Sequence, residues 1–118
     1  MPNSATEMKG SFRFKRNTSH ADYDVELALE ARQSDVFRFD TTVILHSDRW
    51  PDIRRAIENG IRNALMDCGK DVLDVTLLDI KELTGETPLM GFKICAYGAT
   101  NELLGLGHKN PPAELPDR

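Results

Sequence analysis

Apolar residues at Trp50, Ile53, Ile57, Ile61, Ala64, Leu65 and Cys68 recur every three or four positions, and no other feature constrains the fold as tightly. The spacing predicts one amphipathic helix over Trp50–Gly69. Arg54, Arg55, Glu58, Arg62 and Asn63 fall largely on its other side. Pro51 suits the first turn, where its missing N–H has no partner to lose. Ser47 or Asp48 is placed to cap that end, and Gly69 suits the left-handed position that closes it. Gly60 lies inside the helix, where glycine costs about 0.5–1 kcal/mol against alanine. Close approach of the helix backbone to a sheet would offset that cost, so Gly60 is read as structural.

The remaining segments alternate and supply the sheet. SFRFKR at 11–16 turns Phe12 and Phe14 one way and Arg13 and Lys15 the other. YDVELALEA at 23–31 and VFRFDTTVIL at 36–45 repeat that pattern. Turn-rich loops separate the three at 17–22 and 32–35. They are expected to form an antiparallel meander with one wet face. After the helix, Val72–Ile80 reads as a fourth strand, with Leu73, Val75 and Leu77 on one face. A second helix is expected from Pro88 to near Leu104. Thr87 would cap it, and Gly91 and Gly98 would weaken it. The order β-β-β-α-β-α implies an α+β layer: a four-stranded, mostly antiparallel sheet with two helices on one face. Residues 1–10 are expected to be disordered, 11–106 to form one domain, and 107–118 to be a flexible, proline-rich tail.

A chain of 118 residues is long enough to bury a core without disulfides or metals. Cys68 and Cys95 lie in apolar helical patterns and suggest no disulfide framework, which fits a reducing compartment. Neither a membrane span nor a signal core is evident, so a cytoplasmic location is expected. The net charge of −4 argues against a protein that coats nucleic acid generally. The charge is uneven, however. Residues 9–20 hold Lys9, Arg13, Lys15 and Arg16 and no acid, whereas 21–118 hold 11 basic and 18 acidic residues, a net of −7. A basic arm on an acidic body could touch phosphate locally, or could guard an edge strand with charge.

Catalytic patterns are missing. His20, His46 and His108 lie in separate segments, without metal-ligand spacing to one another or to the cysteines. There is no nucleophile elbow and no cysteine–histidine signature. GETPLMG and GLGH do not fit a phosphate-cradling glycine loop, so no nucleotide site is expected. Asp79 at a strand end reads as a turn cap. A non-enzymatic chain without cofactor or metal is expected.

Four motifs in one order carry a family resemblance. Ala56, Gly60, Ile61 and Ala64, followed by Val75, Thr76, Leu77 and Asp79, resemble the A-x-x-x-G-I-x-x-A helix and V-T-L-x-D strand of domain IV of translation elongation factor G. Met90, Phe92, Lys93 and Ile94 resemble its Met-x-Phe-Lys-Ile helix, at the family's distance from Asp79. Lys15, Arg16, Thr18 and Tyr23 match the basic-Gln-Thr-Gly-Gly loop that opens the domain and runs to Tyr-x-x-Val. The resemblance covers about residues 12–104. It implies an α+β fold that, in the full factor, reaches into the ribosomal decoding site with two tip loops; in this sequence these would be 16–22 and 80–87. The GTPase domain and the factor's other domains have no counterpart here.

The implied partner is the ribosome or structured RNA, met by Lys15, Arg16, Asn17, Thr18 and His20 in the first loop and by Lys81 and Thr84 in the second. This chain departs from the family at the tip. Asn17, Ser19, His20 and Ala21 stand in a loop that is glycine-rich in the family, and Leu83 stands where many members have histidine. Lys70-Asp71 shortens a longer linker. A second expectation follows from these departures and from the acidic body: a protein-interaction or self-associating domain that kept the fold and lost RNA binding.

Overall fold

The computed structural model describes residues 7–45, 47–83, 87–107, 112 and 114–117. Strand β1 spans Glu7–Asn17, β2 Asp22–Arg32, β3 Phe37–Thr41 and β4 Leu73–Glu82; helix α1 spans Trp50–Asp67 and α2 Leu89–Leu103. The α+β class and the element order are as the sequence patterns imply. β1 starts at Glu7, so residues 7–10, expected to be disordered, form the first third of a long strand.

The strand order is β1-β2-β4-β3. β1–β2 and β2–β4 pair antiparallel, whereas β3 pairs parallel to β4. The expected meander is therefore wrong at its third strand. β4 inserts between β2 and β3, and α1 is the crossover that a parallel β3–β4 pair requires. β3 is also half the expected length. Thr41 pairs with Leu77, and the Thr42 N–H and hydroxyl both donate to the Leu77 carbonyl. At the next residue of β4 the β2–β4 register slips, leaving Leu78 as a bulge between Leu77 and Asp79. The central strand bends there, and β3 stops pairing. Val43 and Leu45, expected in the strand, pack against the core from the connection that follows.

One core draws on all six elements. From β2 it takes Val25, Leu27, Leu29 and Ala31, and from β4 Leu73, Val75, Leu77 and Ile80. Ile53, Ile57, Ile61 and Leu65 of α1 fill it with 2% exposure or less. Each such side chain contributes about 1.5–3 kcal/mol on burial, as an upper estimate. The arginines of α1 are not simply solvated. Arg54 donates to the Phe39 carbonyl at 2.9 Å and lies 4.9 Å from that ring's centre, and Arg62 lies 4.1 Å from the Phe37 ring. They cover the aromatic side chains of the edge strand β3.

The helix ends show which residues cap. At the start of α1, the Ser47 hydroxyl accepts from the Arg49 N–H, outside the helix, and Arg49 occupies the cap position without capping it through its side chain. At the other end, Gly69 has φ +79°, its N–H donates to the Met66 carbonyl, and the Lys70 N–H donates to the Leu65 carbonyl. That pair of bonds is the Schellman closure. α2 begins one residue later than expected, with Pro88 rather than Thr87 at its cap. Its glycines do not loosen it, because packing holds the face they share: Gly91 faces Tyr23 and Thr87, and Gly98 faces Phe12.

Gly60 is where the two helices meet. A Cβ there would overlap the Lys93 carbonyl oxygen of α2 and stand 2.9 Å from the Ala96 Cβ. The close approach is thus to a helix, not to the sheet as the sequence suggested. Helix propensity alone would make Gly60→Ala stabilising by about 0.5–1 kcal/mol. The rigid backbone overlap reverses that sign, and the substitution is expected to cost about 1–3 kcal/mol in urea denaturation. A neutral or stabilising result would show that the helices can slide apart at no cost.

Candidate nucleic-acid interface

The two loops that the resemblance singles out lie at one end of the sheet. β2 starts and β4 ends there, with Val25 opposite Glu82, and the Leu83 N–H donates to the Asp24 carbonyl at 2.8 Å. The N-termini of α1 and α2 reach the same end. Arg49 donates to the Thr87 carbonyl at 2.6 Å and lies 3.8 Å from the Glu82 carboxylate, which accepts from the Thr87 N–H. Thr87 is fully buried, and its hydroxyl accepts from the Asp24 N–H at 3.4 Å. The second loop is therefore anchored on either side of residues 84–86 by Glu82 and Thr87. Since β4 extends to Glu82, Ile80 is a core residue and Lys81 a strand residue, not loop residues.

The first loop closes on Thr18. Its hydroxyl donates to the Ala21 carbonyl at 2.8 Å and accepts from the N–H groups of His20 and Ala21. Among the described residues no non-glycine residue has positive φ, so this turn needs none of the family's glycines. Thr18 holds the loop's shape, and Asn17, Ser19 and His20 stand exposed around it.

The basic residues divide by face. Lys15 and Arg13 point to the open face of the sheet, opposite Asp24 and Glu26 of β2. Arg13 grips the Asp24 carboxylate with two bonds, at 2.9 and 2.8 Å, and Lys9 lies 4.0 Å from Glu30. The charge excess of β1 is thus met by a column of acids on β2, a pairing invisible in a count along the chain. Arg16 turns to the helix side. Its guanidinium lies 4.8 Å from the Phe14 ring and 3.5 Å from the Pro112 carbonyl oxygen. Lys81 is exposed and stands 4.0 Å from Asp79. Lys15 and His20 are the exposed basic residues nearest the first turn, while Thr84, like His46 and His108, lies outside the described residues.

Asp24 was expected on a wet face, yet its side chain is only 9% exposed. The Arg13 hydrogen bonds hold its carboxyl below the ordinary value of 3.8, helped by the nearby Lys15 charge. Cys95 is not placed for nucleophilic chemistry. Burial pushes the Cys95 thiol up to about 12, and its S–H faces the carbonyls of Phe12 and Val25. A thiol so shifted is not a thiolate at neutral pH. Among the described residues, no three of His, Cys, Asp or Glu are placed to hold a metal, and no helix is long and apolar enough to cross a membrane.

No signal in the sequence points to the part played by residues beyond 107. Expected to be flexible, Leu115, Pro116 and Asp117 instead lie against α1 and α2. Leu115 packs on the core, Asn63 donates to the Pro116 carbonyl, and Lys93 bonds the Leu115 carbonyl and the Asp117 carboxylate. Asn63, assigned to the outer face of the helix, is 1% exposed as a result of this packing.

The fold is similar to part of a solved protein from Thermus thermophilus, with a TM-score of 0.69 and 18% identity over 87% of this chain. The chain spans 16% of the length of that protein. At this identity the likeness is one of fold alone. No family model matches the chain, and no curated protein matches it.

The Arg13–Asp24 pair carries a pH signature. Because the folded carboxyl titrates below its unfolded value, the pair contributes stability that is fully present above pH 3.8 and is lost as pH falls through the folded value. Asp24→Asn is expected to lower stability at neutral pH, and the gap from the parent should close in acid. Urea midpoints measured across that range check it; a gap that persists unchanged in acid would contradict it.

Proposed function

We propose that this chain is a non-catalytic, translation-related module that contacts the ribosome or another structured RNA through one end of its sheet. The observation that carries the reading is that the Thr18–Ala21 turn and the described residues Glu82, Leu83 and Thr87 of the second loop lie at the same end of β2. It is supported by the motif resemblance to domain IV of elongation factor G. The fold similarity to one part of a much longer Thermus thermophilus protein is in keeping with that resemblance.

Lys15 near the end of β1, His20 on the first turn and Lys81 near the end of β4 would meet phosphate, with Asn17 offering a neutral donor. Thr18 would act indirectly, by shaping the turn. Thr84 would join from the second loop. Arg16, packed on Phe14 and near Pro112, would contribute long-range charge rather than a contact.

A second reading has its own observation. At the far end of the molecule, Phe37, Leu65 and Met66 border a cleft with Arg62, Lys70 and Asp71, and the neighbouring Val36 is 49% exposed. Together with the paired charges of β1 and β2, this fits a protein-interaction or self-associating domain that kept the fold without the RNA contact.

Co-sedimentation with ribosomes over a salt series separates the two readings. The RNA reading expects binding that strengthens at low salt. Lys15→Glu with Lys81→Glu should flatten the slope of log K against log salt by about 0.7–0.9 for each phosphate no longer neutralised. No co-sedimentation even at low salt would sink it. Light scattering that finds a dimer abolished by Met66→Glu would favour the second reading.

A further inference from the structure

Lys93 is a lysine in the wrong place for a helix on a sheet. Its side chain is 9% exposed, between the two helices, and an ammonium so enclosed is costly to hold without a partner. Its partners come from a segment remote in sequence. Nζ donates to the Leu115 carbonyl at 3.3 Å and to the Asp117 carboxylate at 2.5 Å. That contact holds the Asp117 carboxyl below its ordinary range, although the Asp117 side chain itself is 85% exposed. The buried member of the pair belongs to the groove, and the exposed member to its occupant.

The other contacts read backbone. Asn63 Nδ2 donates to the Pro116 carbonyl at 2.9 Å, and the Leu115 N–H donates to the Met90 sulfur at 3.4 Å. Consecutive backbone groups of one extended stretch are thus met by three side chains, from both helices, while the Leu115 side chain packs on the core. A proline at the next position keeps the stretch extended and reduces the entropy lost on docking. This is how grooves recognise extended peptides: backbone bonds hold the register, and one apolar and one charged pocket select the side chains. Met90, Lys93 and Asp117 also line a cleft of about 700 Å³ that Asp52, Arg55, Asn59 and Leu89 border. A longer segment would find further polar contacts there.

We propose that the groove between α1 and α2 is a docking site for extended Leu-Pro-Asp segments, that the chain's own tail is its resident occupant, and that a partner protein's segment of the same chemistry takes its place. The tail competes at the high effective concentration of a tethered ligand, on the order of millimolar. The site is therefore masked unless the tail is weakened or the incoming segment gains contacts in the cleft.

The full-length chain tests this. Leu115→Gly with Asp117→Asn weakens the tail and leaves the groove residues intact. A fluorescent peptide of the sequence PPAELPDR, titrated to about 1 mM, should bind this variant about tenfold more tightly than it binds the unaltered protein, whose groove is filled. Adding Lys93→Met, an apolar chain of similar length, should weaken peptide binding by about tenfold, as should an asparagine at the peptide's aspartate. Circular dichroism and the thermal midpoint report whether each variant is folded. If Lys93→Met proves unstable, the asparagine peptide alone still tests the charge pairing. Failure of a folded tail variant to bind at about 1 mM would overturn the proposal, as would binding indifferent to both the lysine and the peptide carboxylate. A ribosome or RNA result leaves these outcomes untouched, because the groove and the sheet end are read by different probes.

Discussion

The distance between α1 and α2 at Gly60 governs how everything else packs. A four-stranded sheet offers one face wide enough for two helices only if the helices nearly touch. Here the backbone of α2 at Lys93 lies against the missing side chain of Gly60. That approach lets Phe92, Ile94, Cys95 and Ala96 of α2 and Ile57 and Ile61 of α1 share a single core. It also encloses Lys93 beside the helix crossing. The local weakness that glycine brings to α1 is thus offset by packing across the helix pair, and one consequence is a buried cation that needs a carboxylate.

Charge is organised on the same principle of pairing across elements. Along the chain, β1 is a basic arm; across the sheet, its outward residues lie beside the acids of β2. The local field is therefore much weaker than the sequence count implies. Among the described residues, Lys15, His20 and Lys81 stay exposed and basic near the sheet end. This contracts the RNA reading to a few contacts: His20 on the turn, and Lys15 and Lys81 near the strand ends beside it. Asp24 ties the open face to the loop end. Its carboxylate binds Arg13 on that face, while its backbone joins Leu83 and Thr87 of the second loop.

Much of the fold was legible because periodicity reports burial directly. Ile53, Ile57, Ile61 and Leu65 of α1, and Leu73, Val75 and Leu77 of β4, were readable as core from spacing alone, and each is buried. The place of β3 was not legible. Alternation in 36–45 says that a strand has two faces, not which neighbour it pairs with, and the bulge at Leu78 that ends the pairing has no local signature. Of the candidate site, the motif resemblance pointed to the two loops, and Lys15, His20 and Lys81 are exposed near them, whereas it gave no signal for the inward turn of Arg16. Arg16 lies on the inward face that β1 shares with Phe12 and Phe14, but its charge suggested solvent. Asn63 and Lys93 were missed as groove residues because polar residues on a helix read as solvated until something is seen to cover them.

Element types, their order, the core faces and the left-handed closure of α1 at Gly69 are written in the amino-acid order itself, since each depends on residues within a few positions of one another. Three-dimensional packing settled the rest: β4 divides β2 from β3, Gly60 serves a helix contact, Lys9 and Arg13 of the basic arm meet acids of β2, and the tail is held by Asn63 and Lys93. Those outcomes join residues 11 to 96 positions apart, among them Arg13 with Asp24 and Arg16 with Pro112. Local spacing carries no information about such pairs; they form where closing the chain brings a desolvated group within reach of the partner it needs.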